Sequence, residues 1–264
     1  MGRAADELST LVVVPTYNER ENIVRLLREI LRQGSAVEVL VVDDNSPDGT
    51  PELVEQMADD GPRVHLLRRE GKLGLGTAHI AGYRWALGRD YSRVITMDAD
   101  FSHPPERIPA MLEASREADV VIGSRYCPGG GHEQWPFHRI LLSSTSNVVA
   151  RLCLRLKPAD CTGAFRCFRR SVLENIATEN IVSRGYSFQE EMLWHCSGRG
   201  WRIAEVPITF QDRRGGESKM SLREIFGGVA TIVRLVFTPE GRKMPSRAAP
   251  SGRDRGVAVG RGRD

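Results

Sequence analysis

The stretch "VITMDADFSH", Val94 to His103, carries an apolar, β-branched segment straight into two aspartates one residue apart. Its first residues suit a buried strand. Carboxylates at the end of such a strand are costly unless something compensates them. In extended chain, residues i and i+2 face the same side, so Asp98 and Asp100 are expected to present two carboxylates in one direction. A hard divalent cation suits that pair, because Mg²⁺ is often held by one or two carboxylates together with substrate phosphates. The plain alternative is a solvated turn, with one aspartate capping the helix that "PPERIPAMLEA" suggests after Pro104.

The same layout recurs upstream and downstream. "LVVVPTYN" (Leu11–Asn18) reads as a buried strand, and Ile23, Leu26, Leu27, Ile30 and Leu31 have the spacing of an amphipathic helix that Gly34 closes. "VEVLVVDD" (Val37–Asp44) is a second strand, followed by the turn residues "NSPDG". A short helix from Pro51 to Ala58 leads to the strand "RVHLL", a helix is expected over residues 77–88, and "ADVVIGS" (Ala118–Ser124) is another strand. Alternating strands and helices predict a doubly wound α/β fold with a mostly parallel sheet. Ligands in such sheets sit at the carboxyl ends of the strands. Three acid-bearing ends, "PTYNE", "DDNSPDG" and "DADFSH", should therefore line one crevice. A dinucleotide fold would carry G-x-G-x-x-G after its first strand. Here that place holds Pro15–Glu19, and "GLGTAH" (Gly74–His79) has two of the three glycines, which suits a tight loop before a helix.

Of the 264 residues, 41% are hydrophobic and 27% charged, as in an ordinary globular protein. One domain is expected over residues 1–240, with no linker before its end. The five cysteines, at 127, 153, 161, 167 and 196, form neither a C-x-x-C pair nor a zinc-like spacing, which suggests reduced thiols in the cytoplasm. "MGRAADELST" lacks the apolar core of a secretion signal, and Asp6 occupies the Ser/Thr place of the myristoylation pattern. From Arg242 to Asp264 there are seven Lys/Arg and two Asp, in a chain whose net charge is only +3. This Gly-, Pro-, Ser- and Arg-rich stretch predicts a disordered basic tail over 241–264, suited to an anionic surface. Ahead of it an amphipathic helix is expected over about residues 221–238, including "IFGGVATIVRLVF" (Ile225–Phe237). As a helix that run would be roughly 20 Å long, short of the ~30 Å hydrocarbon core. Arg234 inside it further disfavours spanning. Packing on the sheet and lying in a membrane interface both remain open to it.

Together, "VVPTYNERENI", "VVDDNSPDGT", "GLGTAHIAG", "MDADFSHPPE", "GSRYCPGGG", "DCTGAFRCFRR" and "GESKMSLREI" resemble family 2 glycosyltransferases, most of all the dolichol- or polyprenol-phosphate mannose synthases. The resemblance covers roughly residues 10 to 238. It implies a nucleotide-sugar-binding (GT-A-like) fold and inverting transfer of mannose from GDP-mannose to a polyprenyl phosphate in a membrane, with Mg²⁺ or Mn²⁺ as cofactor. It also implies roles by position. Pro15, Tyr17, Glu19, Val42 and Asp44 would line the nucleoside pocket, while Asp98, Ala99 and Asp100 would meet the diphosphate and its metal. Arg125, Arg213 and Lys219 would bind phosphates, and Arg139 and Ser143 would lie near the acceptor phosphate. Asp98, Asp100, Arg125 and Arg213 are the expected catalytic set. The family commonly has S-R-G-A-N where this chain reads "SSTSN", so Ser144 replaces an arginine on the acceptor side.

The chemistry agrees with that reading. Two donor phosphates and a third on the acceptor need countercharge, which arginine forks and lysine supply. A phosphate monoester loses its second proton near pH 6, so the acceptor is already a nucleophile at neutral pH and no catalytic base is assigned. A peripheral enzyme on the cytoplasmic face is expected, with room for a separate integral-membrane partner. Two further readings are a family 2 enzyme with a UDP-sugar or a saccharide hydroxyl acceptor, and a non-catalytic nucleotide- or nucleic-acid-binding module. The paired acids speak against nucleic acid, whose surfaces favour basic grooves.

Overall fold

The protein is described by a computed structural model covering residues 8–133, 135–176, 181–183, 185, 187–211 and 222–238. Its first strand, β1 (Thr10–Thr16), is buried on both faces, with Leu11, Val12, Val13 and Val14 all at 0% exposure. That is why it reads as an unbroken apolar run. Next come α1 (Ile23–Leu31), β2 (Val37–Asp43), α2 (Thr50–Asp60), β3 (Val64–Arg68), α3 (Leu75–Leu87) and β4 (Arg93–Thr96). A 3-10 turn (Pro105–Arg107) leads into α4 (Ile108–Ala114) and then β5 (Val120–Ser124). The second half holds β6 (Gly131–His132), α5 (Phe137–Leu154), β7 (Arg166–Arg169), α6 (Arg170–Asn175), α7 (Phe188–Gly198), β8 (Ile203–Pro207), β9 (Thr209–Phe210) and α8 (Leu222–Phe237).

Seven strands form one sheet in the order β3-β2-β1-β4-β7-β5-β8, and β6 and β9 make a small parallel pair. Alternate residues divide the core. Val12, Val14, Val39 and Val41 meet Ile23, Leu26, Leu27 and Ile30 of α1 on one face. Leu11, Val13, Leu40 and Val42 meet Tyr83 of α3 and Phe188 and Met192 of α7 on the other. Each such aliphatic side chain contributes about 1.5–3 kcal/mol by leaving water. Gly82 lets α3 sit directly on β1, because any side chain there would run into Val13.

The doubly wound reading holds, with one addition. β7 runs antiparallel between β4 and β5. Its segment, "GAFRCFRR", looks too basic for a central strand. Arg166 is nevertheless fully buried, and its guanidinium donates to the carbonyls of Gly163, Gln189 and Cys161 at 2.7–2.9 Å. Three carbonyl acceptors compensate the desolvated charge.

At the far end of the chain, α8 lies beside α5. Leu235 is buried with Ala150 and Leu154 of α5, and Arg234 donates at 2.7 Å to Glu191 of α7. The charge that breaks the apolar run is thereby paired. Val229, Val233 and Phe237, one helical turn apart, stay 50–67% exposed. The expected tail, 241–264, lies outside the described residues. Among the described residues no helix is long and apolar enough to cross a membrane.

Candidate active site

The carboxyl ends of β1, β2 and β4 lie side by side in the sheet. The two aspartates at the end of β2 divide their work. Asp43 is fully buried and accepts from the Thr16 hydroxyl and from the amide and hydroxyl of Ser46 at 2.6–2.8 Å, pinning the strand ends. Asp44 faces the loop before α3. It accepts from Arg69 at 2.6 Å and from the amides of Leu73 and Gly74 at 3.1 and 3.3 Å. Burial pushes the Asp44 carboxyl up, against the pull of Arg69 and the two amides. Arg69 also donates to Thr77, so one arginine ties the "DDNSPDG" strand end to the "GLGTAH" loop.

Pro15 stands beside Val42 across the β1–β2 pair. Tyr17 follows β1, and the Lys72 ammonium lies 4.0 Å from its ring centre. The Glu19 amide donates to Thr50, and the Glu19 carboxylate accepts from Asn22. Val42 and Ala99 are in a different position, because both side chains pack into the core. What they can offer a nucleotide is main chain.

β4 stops at Thr96, whose hydroxyl donates to Ala164 at 2.6 Å. The strand alternation that would aim Asp98 and Asp100 alike ends there. A bend follows, with Phe101 at φ 62°, a left-handed conformation that non-glycine residues seldom adopt. Backbone held this way tends to cluster at active sites and ligand clamps. Asp98 remains 26% exposed at its side chain, while Asp100 is 6% exposed and accepts from the Ser102 amide at 3.1 Å. His103 lies just ahead of the 3-10 turn and is not in solvent. It is 2% exposed, stacks on Phe165, and accepts the Asp98 amide on Nδ1 at 2.9 Å. Burial lowers its proton affinity, while the charges of both Asp98 and Asp100 pull the other way. A neutral imidazole with its proton on Nε2 follows, and it braces the bend.

Two strands along the same carboxyl edge, the end of β5 delivers Arg125 to a partner the sequence did not reveal. Asp160 is 0% exposed and receives Arg125 Nε and Nη2 at 2.7 Å each, in the two-pronged geometry typical of this pair. Burial would raise the Asp160 carboxyl, but the Arg125 charge and hydrogen bonds hold it down to about 2. Arg125 Nη2 also reaches the Thr162 hydroxyl at 2.7 Å. The "YCPGGG" loop (Tyr126–Gly131) is tied down by hydrogen bonds. Tyr126 and Cys127 amides donate to Ser124, Gly131 donates to Ile208, and Glu133 donates to Phe210. Gly130 is required there, because a side chain would strike the Ser124 carbonyl.

Arg139 and Ser143 both lie on α5. The Arg139 guanidinium sits 4.1 Å from the Trp135 ring centre, and the Ser143 hydroxyl accepts from Tyr126 at 2.7 Å. Arg213 and Lys219 lie outside the described residues. Asp160, Arg69 and Thr162 went unnoticed in the sequence because their partners are distant in the chain. Glu190 at the start of α7 joins them, since burial pushes its carboxyl up to about 7 beside Arg166, Asp160 and Arg125.

Among the described residues no group of three or more His, Cys, Asp or Glu side chains could hold a metal by itself. Two carboxylates at a strand end still fit a Mg²⁺- or Mn²⁺-type ion whose remaining ligands come from substrate phosphates and water.

The mostly parallel sheet, with acids at the ends of β2 and β4 and the buried Arg125 at the end of β5, has the architecture of the GT-A fold. The description of Glycosyl transferase family 2 matches residues 11–177, and the chain belongs to that family. It is a glycosyltransferase. It is 46% identical over 214 residues to the polyprenol monophosphomannose synthase of Mycolicibacterium smegmatis, covering 80% of this chain and 81% of that one. It is 44% identical over 227 residues to the undecaprenyl-phosphate mannosyltransferase of Micrococcus luteus, covering 86% and 93%. Among solved structures, a mannosyltransferase from Pyrobaculum calidifontis in complex with GDP-Man and Mn²⁺ matches with TM-score 0.58 and 20% identity, over 87% of this chain and 65% of that one. Glucosyl-3-phosphoglycerate synthase from Mycobacterium tuberculosis, with Mn²⁺, UDP and phosphoglyceric acid, matches with TM-score 0.65 and 18% identity, over 88% and 80%. At such identities these structures speak for the fold.

Proposed function

We propose that this chain transfers mannose from GDP-mannose to a polyprenyl monophosphate, inverting the anomeric centre and yielding a lipid-linked mannose donor. The observation that carries the reading is the 46% identity to a polyprenol monophosphomannose synthase across most of both chains. The site supports it. Tyr17, Glu19 and the main chain at Pro15 and Val42 border the nucleoside pocket, with Asp44 fixing its wall. Asp98 and Asp100 would hold Mg²⁺ or Mn²⁺, which when bound neutralises the leaving diphosphate. Binding should separate donors: GDP should raise the melting temperature of the protein more than equimolar UDP does. Equal or stronger stabilisation by UDP would favour a UDP-sugar enzyme.

On the acceptor side, the phosphate dianion attacks without help from a base. Asp160 orients Arg125, and Arg139, Arg213 and Lys219 supply countercharge beside it. The protein's contribution is then position and electrostatics. Arg139→Ala should raise the acceptor KM or lower kcat while GDP binding stays nearly unchanged. Equal weakening of GDP binding would move Arg139 to the donor side.

The acceptor's lipid tail calls for a membrane surface, and α5 and α8 supply one. Leu141, Leu142, Val148, Val149 and Leu152 on α5 are 42–74% exposed, beside Val229, Val233 and Phe237 of α8. Between them, Thr145 and Ser146 donate their hydroxyls back to Leu141 and Leu142 carbonyls. That masks their polarity and leaves a face suited to the headgroup boundary. The basic tail adds attraction to anionic lipid, about 1 kcal/mol per Lys or Arg near the surface. A peripheral place on the cytoplasmic face follows, with or without an integral-membrane partner subunit. Truncation after Gly241 should weaken binding to anionic vesicles, as high salt should for the intact chain, and leave turnover on a detergent-solubilised short acceptor. Equal vesicle binding by both chains at low salt would rule out the tail as anchor.

A further inference from the structure

Two aromatic residues of the wall between β5 and α5 each touch one of the two residues assigned to the acceptor phosphate. Tyr126 donates its phenolic proton to the Ser143 hydroxyl at 2.7 Å, and Trp135 lies under the Arg139 guanidinium at 4.1 Å. Neither contact is isolated. Tyr126 packs edge-on against His132, His132 stacks on Trp135 at 4.4 Å, and Trp135 meets Phe210 edge-on at 5.1 Å. Phe210 in turn meets His103, the imidazole bonded to the Asp98 amide. A continuous row of rings thus joins the paired-acid bend to the acceptor side of α5.

The backbone beneath α5 is fixed by the same neighbourhood. Asn147, one turn beyond Ser143, donates to the Ser143 carbonyl and the Thr162 hydroxyl and accepts the Cys161 amide at 2.8 Å. Thr162 is held by Arg125, whose guanidinium also lies 5.2 Å from the Tyr126 ring centre. Tyr126 occupies one lone pair of the Ser143 oxygen, and the Ser143 proton is left to donate onward. Linked hydrogen bonds of this kind polarise one another. An aromatic face under an arginine restricts where the planar fork can point.

We propose that Tyr126 is a positioning residue for the acceptor phosphate: it orients the Ser143 hydroxyl as a donor, while Trp135 sets the plane of the Arg139 guanidinium. The inference rests on the acceptor assignment of Arg139 and Ser143 made above. Neither aromatic residue touches the reacting atoms. Both act through the α5 side chains, so their removal should change acceptor use and spare the donor.

Steady-state kinetics of the full chain with GDP-mannose and a detergent-solubilised short polyprenyl phosphate test this. Tyr126→Phe keeps the ring packing and removes one hydrogen bond, so the acceptor KM should rise about five-fold, the range expected for one neutral hydrogen bond. The donor KM should stay at its wild-type value, and the melting temperature should fall by no more than a few degrees. Trp135→Leu should raise the acceptor KM, and Trp135→Phe, which restores an aromatic face, should recover most of it. An unchanged acceptor KM in Tyr126→Phe overturns the proposal, and so does an equal rise in both KM values. If Ser143→Ala raises the acceptor KM while Tyr126→Phe does not, the acceptor assignment stands and the positioning role falls. If the wild-type protein transfers nothing to this acceptor, the assignment itself falls and the inference with it.

Discussion

Asp100→Ala should lower turnover by about 10²–10³, the cost of losing one oriented electrostatic contact at a developing charge, roughly 3–4 kcal/mol. The expectation rests on the bend after β4. Phe101 is held in a left-handed conformation there, and His103 braces the Asp98 amide from beneath. The acids are therefore placed by backbone and need not be held by each other. The fold should survive, because the Asp100 bond to the Ser102 amide is local to the bend and the core strands do not depend on it. A chelator should abolish wild-type activity, and added Mg²⁺ or Mn²⁺ should restore it. Full activity in EDTA, with either aspartate replaced, would remove the metal role.

Asp160→Ala should destabilise the protein by about 3–5 kcal/mol, because it strands a buried guanidinium without its counterion. Arg125 is 8% exposed and Asp160 0%, so water cannot replace the lost partner. Asp160 also accepts the Gly163 amide at 3.0 Å, so the loop before β7 would loosen as well. Urea unfolding at pH 7 measures the loss, and a change below 1 kcal/mol would contradict it. The pH dependence has a definite sign. The folded Asp160 carboxyl titrates near 2, below its unfolded value of 3.8. Its stabilisation is fully present above the unfolded value and is lost as pH falls toward 2. Asp160→Asn should lack that component of the acid slope.

How much of this was legible in the sequence depended on the range of the interaction. The strands ending at "PTYNE", "DDNSPDG" and "DADFSH" were legible because two-sided burial writes an apolar run and turn chemistry ends it. The helical spacing of Ile23 to Leu31 was legible for the same reason. β7 was hidden, since Arg166 looks solvated until its three carbonyl acceptors are seen, two of them nearby in sequence and one on α7. The motif marks Arg125 as a phosphate ligand, but no local pattern pairs it with Asp160, 35 residues later. The burial of His103 was not legible, because it depends on Phe165 and Phe210, both distant in the chain. That Gly130 of "YCPGGG" is required by close backbone packing was not legible either, since the Ser124 carbonyl it approaches is placed by the fold. The acceptor-side substitution at Ser144 was visible at once. The aromatic support of its neighbours Arg139 and Ser143 was not, because it depends on residues from the preceding loop.

The most direct test of the central claim is mannosyl transfer by the purified full-length chain. It would be given GDP-mannose, Mg²⁺ or Mn²⁺ and a short polyprenyl phosphate, with UDP-glucose and a saccharide acceptor as parallel substrates. The account predicts a single polyprenyl phosphate mannose of β configuration, formed only with GDP-mannose, a divalent ion and the lipid phosphate. Transfer from UDP-glucose in preference to GDP-mannose, or to the saccharide hydroxyl in preference to the lipid phosphate, would contradict it.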